Sequence, residues 1–80
     1  MDMEEIYARM GRNLIYLRAQ YSMSRKTLAK LIDIPLTRLR RVEAGGSRAR
    51  VYDFHLCRMA NVFDLSTDSL LYEDLCRTKS

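Results

Sequence analysis

The stretch Ser24–Gly45, SRKTLAKLIDIPLTRLRRVEAG, constrains the fold more than any other part of this sequence. Its apolar residues recur at helical spacing in two short blocks separated by a single tight turn. Ser24 stands before the first block, where its hydroxyl can accept a free backbone N–H of the first turn. Leu28, Ala29, Leu31 and Ile32 supply the apolar face of that helix, residues 24–32. Asp33 falls at the turn, where a short polar side chain tolerates a left-handed backbone. Pro35 opens the second helix, because its missing N–H would have been unpaired there anyway. Gly45 and Gly46 end it.

The second helix, about residues 35–44, divides into two faces. At about 100° per residue, Pro35, Leu39 and Val42 point to one side, and Thr37, Arg40, Arg41 and Ala44 to the other. Leu36 and Arg38 lie on the flanks. The outward face is therefore small or cationic, which suits the edges of DNA bases and the phosphates beside them. The competing reading is a solvated basic face of an ordinary helical domain.

Charge distribution sharpens the first reading. The 80 residues carry a net charge of +4, yet residues 9–50 hold eleven Lys or Arg against only Asp33 and Glu43, a local charge of +9. The segments on either side are acidic. A basic centre between acidic ends favours a localised polyanion site over a uniformly sticky surface. Arg18 is the candidate for an internal ion pair. Arg48 and Arg50, after the two glycines, suit phosphate contacts, which position a protein without reading sequence; simple solubility is the equal alternative.

The remainder of the chain reads as helical. Three glycines and one proline leave few breakers, and 48% hydrophobic residues are enough for one small core. A domain of this size is marginal alone, so help from a dimer partner is plausible. Asp2 and Glu5 resemble a capping box opening a long helix to about Tyr21. Ile6, Met10, Leu14, Leu17 and Tyr21 form its buried stripe, and Gly11 within it allows close approach of another helix. Met23 turns inward at the following bend. A fourth helix from Tyr52 or Asp53 to Phe63 buries Leu56, Met59, Ala60 and Phe63. Ser66 caps a last helix, with Asp68 in its first turn. Leu70 closes the core, with Leu71 either joining it or standing with Tyr72 and Leu75 in an exposed patch that offers a subunit contact. Cys57 is read as a small core residue, Cys76 as a tail thiol and His55 as a surface residue. Two cysteines and one histidine make neither a disulfide framework nor a structural zinc site. No span, signal peptide, metal cluster, nucleophile–base pair or phosphate-binding glycine loop is visible. The expectation is thus a cytoplasmic, non-enzymatic protein that needs no cofactor, metal, membrane or small-molecule ligand.

At these positions the chain resembles the lambda-repressor-like, or XRE-type, helix-turn-helix DNA-binding domains. The resemblance covers about residues 10–71, leaving an N-terminal helical extension and a short tail. Its carriers are Leu17-Arg18, Met23-Ser24, Leu28-Ala29, Ile34, Leu39, Val42-Glu43 and Gly45, then Leu56, Met59-Ala60, Phe63-Asp64-Leu65-Ser66 and Leu70-Leu71. It departs from the family pattern at Asp33, where glycine is usual, and at Pro35, where a serine cap is usual. The proline usual before the fourth helix is absent too.

The resemblance implies an all-α bundle of about five helices in one domain. It lays the helix 35–44 in the major groove and the helix from Ser24 across the backbone. Leu36, Thr37 and Arg41 then take base-reading positions, with Arg38 and Arg40 beside them. Ser24, Arg25 and Lys26 lie near phosphates. It also implies a structural pair, Arg18 with Glu43. The function expected from it is a transcriptional regulator, a repressor first of all, that binds double-stranded DNA as a homodimer on an inverted repeat. Prokaryotic, phage or mobile-element proteins are its setting. A protein-interaction adaptor or antitoxin-type partner binder of the same fold is the alternative.

Overall fold

The computed structural model describes residues 3–45 and 53–75. These form five α-helices and, among the described residues, no strand: α1 (Met3–Gln20), α2 (Arg25–Ile32), α3 (Leu36–Glu43), α4 (Asp53–Val62) and α5 (Thr67–Tyr72). The all-helical expectation therefore holds. Asp2, Gly46, Arg48, Arg50, Tyr52 and Cys76 lie outside the described residues.

Helix α1 is the scaffold, packing along α3 on one side and α5 on the other; α2 packs on α3 and α4, and α4 on α5. Met10, Leu14 and Leu17 of α1 meet Leu28, Ala29 and Ile32 of α2, Leu39 and Val42 of α3, and Met59, Phe63 and Leu70 from the C-terminal helices. The i, i+3, i+4 spacing of these residues puts each set on one side of its helix, so a single core serves all five.

Short polar residues shape the helix ends. Ser22, Asp33 and Asp64 all adopt positive φ, at 51°, 59° and 56°. After each, the chain donates back into the preceding helix: Met23 N–H to the Arg18 carbonyl, Ile34 N–H to that of Ala29, and Leu65 N–H to that of Ala60, at 2.8–3.0 Å. This left-handed cap satisfies carbonyls that the ended helix leaves open. Asp33 thus does at the α2–α3 turn what glycine does elsewhere. Ser24 and Ser66 cap α2 and α5 by accepting from Thr27 N–H and Ser69 N–H. Pro35 sits one residue earlier than expected. It is the N-cap of α3, with extended backbone (ψ 145°) and no side-chain bond. Because it precedes the first helical turn, it does not share the buried face of Leu39 and Val42, and it is exposed.

Gly11 fulfils its expected role. A Cβ there would lie 2.6 Å from the Val42 carbonyl oxygen and 2.7 Å from that of Glu43. Both obstacles are backbone at the end of α3, which cannot step aside as a side-chain tip would. Gly11→Ala must push α1 and α3 apart, and the expected cost is about 1–3 kcal/mol. The gain in helix propensity returns at most about 1 kcal/mol. A thermal melt equal to or above that of the wild-type chain would contradict this contact.

Several residues sit elsewhere than expected, and Ile6 of the α1 stripe is only half-buried. Tyr21 is 53% exposed because α1 ends at Gln20 and the chain bends. Its ring still stands edge-on to Phe63, with centroids 5.2 Å apart. Leu31 is also 53% exposed, since it falls outside the sector that Leu28, Ala29 and Ile32 share. Cys57 is exposed and no core residue, because α4 turns Met59 and Ala60 inward and Cys57 away. His55, expected at the surface, is buried with 5% exposure. It precedes Met59 by four residues and Phe63 by eight, and so lies on the inward stripe of α4.

Candidate nucleic-acid interface

The side chains of α3 divide as its periodicity predicts. Leu39 and Val42 are buried, whereas Thr37, Arg40, Arg41 and Ala44 are all exposed. Leu36 and Arg38, on the flanks, are half-buried, and Leu36 packs against the core. The outward face of α3 is therefore two arginines with a threonine and an alanine, small enough at two of four positions for close approach to another surface.

Glu43 fixes the end of this helix. It is 5% exposed, yet it is satisfied on both oxygens. Arg18 of α1 donates from Nε to Oε2 at 2.6 Å and from Nη2 to Oε1 at 3.1 Å, and its Nη1 reaches the Met23 carbonyl at 3.0 Å. The pair expected from the family resemblance is thus present, with bidentate geometry of the strong, directional kind. Arg25, at the start of α2, donates from Nε to the same Oε1 at 2.8 Å. One carboxylate therefore ties α1, α2 and α3 together. Neither the charge count nor the helix periodicity pointed to this third partner, since Arg25 and Glu43 stand 18 residues apart.

The first turn of α2 borders α3. Lys26 is exposed, and Arg25 keeps 39% of its side chain exposed despite its bond to Glu43. The Ser24 hydroxyl accepts from Thr27 N–H at 3.0 Å and donates to Thr27 Oγ1 at 2.9 Å. It is thus occupied within the cap and has no proton to offer a phosphate without releasing Thr27.

On the other flank of α3, His55 and Arg58 of α4 meet Arg38 and the turn at Asp33. Arg58 donates to the Ile32 carbonyl at 3.4 Å, lies 3.7 Å from the Asp33 carboxylate and stands over the Phe54 ring. Burial first, then the cations Arg38 and Arg58, lower the His55 pKa below its ordinary 6.5, while Asp33 opposes them. The folded protein thus binds the His55 proton less readily than the unfolded chain does. The sign follows: the stability contributed by neutral His55 is complete above about pH 6.5 and is lost as pH falls below it toward the lower folded value. The melting temperature is expected to drop between about pH 7.5 and pH 5.5, and to drop less in His55→Leu. An equal drop in both would place the titration elsewhere.

The subunit contact expected at Leu71, Tyr72 and Leu75 is only partly a surface. Tyr72 is 52% exposed, but Leu71 and Leu75 are half-buried against the core. The residue that holds them there is Asn13, fully buried in α1. Its Nδ2 donates to the carbonyls of Leu70 and Glu73, each at 2.7 Å, and its Oδ1 accepts from Leu75 N–H at 3.1 Å. The signal in the sequence is an amide on the stripe of Met10, Leu14 and Leu17. No helix of the described residues is long and apolar enough to cross a membrane.

No protein-family model matches this chain, and no curated protein matches it.

Proposed function

We propose that this protein is a sequence-specific DNA-binding regulator, most simply a repressor, that reads the major groove with the exposed face of α3. The observation that carries the reading is that face. Every exposed side chain of residues 37–44 is cationic or small, on a helix braced at its end by Arg18, Glu43 and Arg25. The +9 of residues 9–50 and the resemblance to lambda-repressor-like domains support it. In this arrangement α2 crosses the phosphate backbone and α3 enters the groove. Arg41 grips guanine O6 and N7 with two hydrogen bonds, and Thr37 meets a base edge or a thymine methyl. Two copies on an inverted repeat would double the contacts.

The test is selection of bound duplexes from a random pool at about physiological salt, where nonspecific binding is suppressed. An enriched inverted repeat is the expected result. No enrichment, with binding lost steeply as salt rises, would leave only a nonspecific basic surface and favour a protein partner instead. On the selected duplex, Arg41→Ala is expected to lower discrimination at one base pair per half-site by about 1–3 kcal/mol. Equal weakening on all sequences would make Arg41 a phosphate contact only.

A further inference from the structure

Arg18 alone accounts for the charge of Glu43: it reaches both carboxylate oxygens, and all three of its guanidinium nitrogens are engaged. Arg25 is a second cation brought onto the same oxygen, so the cluster of three side chains carries a surplus positive charge. The two partners differ in exposure as well. The Arg18 side chain is 15% exposed and the Arg25 side chain 39%. Only Nε of Arg25 is engaged among the described residues, which leaves the Nη1–Nη2 edge of a planar fork with its donors open. That edge matches two oxygens of a phosphate. Holding two guanidinium groups on one oxygen costs repulsion that a second anion would relieve.

Resting on the DNA-binding reading above, we infer that Glu43 is a positioning residue that aims Arg25, by its Nε–H, so that the Nη edge grips a backbone phosphodiester beside α3. The buried carboxylate then links the support of the reading helix to a phosphate clamp on α2. The clamp carries no sequence information and sets the angle at which α3 meets the groove.

The test measures the affinity of the full chain for the selected duplex at several salt concentrations, with melting followed separately, for Arg25→Ala, Arg25→Lys, Glu43→Gln and the double variant Arg25→Ala/Glu43→Gln. Arg25→Ala is expected to weaken all duplexes about tenfold and to lower the salt slope by about one. Arg25→Lys keeps the charge but not the fork, so it is expected to retain most of the salt slope while losing affinity. Glu43→Gln is expected to weaken binding much less once Arg25 is already alanine. Equal weakening in both backgrounds would show that Glu43 acts through α3 alone and would overturn the inference. Should Glu43→Gln fail to fold, Arg25→Lys decides, since wild-type affinity in that variant also overturns it. A wild-type chain that binds no duplex even at low salt removes the DNA-binding reading itself. A chain that binds, with unchanged Arg25 variants, removes only the clamp.

Discussion

Glu43→Gln is expected to lower the stability of the folded chain by about 3–5 kcal/mol, the usual result of removing one partner of a buried ion pair. The size follows from what is left behind. Arg18 is fully occupied by Glu43 and the Met23 carbonyl, and an amide would present NH₂ to donors that need an acceptor. Arg25 loses the same oxygen. Two guanidinium groups would then face each other without the carboxylate between them, in a place where Glu43 itself is 5% exposed. For a domain of this length, roughly 4–8 °C of melting temperature accompanies each kcal/mol. A fall of about 12 °C or more is therefore the expected reading in a thermal scan. A variant that melts with the wild-type chain would mean that water, rather than the carboxylate, satisfies the two arginines.

Asn13→Leu is expected to have the next largest effect, about 2–4 kcal/mol, although leucine is the more hydrophobic residue and the site is fully buried. The side chain is not the main loss. Asn13 is the partner of the Leu70 and Glu73 carbonyls and of Leu75 N–H, and each backbone group stranded out of water costs about 1–3 kcal/mol. Water can reach some of them once the end of α5 lifts away, which keeps the total below the sum. The same relaxation predicts where the damage falls. Amide protons of α5 and of Leu75 should exchange faster at temperatures where α1, α2 and α3 remain protected. Uniform loss of protection would mean that α5 is not a separable latch but part of the cooperative unit.

These two expectations concern polar groups at zero or near-zero exposure, and such groups divide what is legible in a sequence from what is not. The α2–α3 pair, its left-handed turn at Asp33, the buried face of Leu39 and Val42 and the exposed face of Thr37, Arg40 and Arg41 all follow from spacing within a few residues. Local sterics and the helical repeat decide them wherever the rest of the chain lies. The all-helical class and most of the core follow in the same way. His55 was legible by its position four residues before Met59, but residue type pointed to the surface. Only the packed structure lowers its pKa, first by burial and then through the cations Arg38 and Arg58. Leu31 and Cys57 show the converse: apolar or small residues left outside because each short helix has only one side to bury.

The order of helices, the serine caps of α2 and α5, the left-handed turn at Asp33 and the side of α3 that carries arginines are set locally, because they depend on bonds and repeats no longer than one or two turns. Which polar groups meet is settled by packing alone: Arg25 with Glu43, and Asn13 with the end of α5. Those partners are 18 residues apart in the first case and 57 to 62 in the second. No periodicity reaches across such distances. A buried donor finds its acceptor only when the core has brought two helices to within a hydrogen bond of each other.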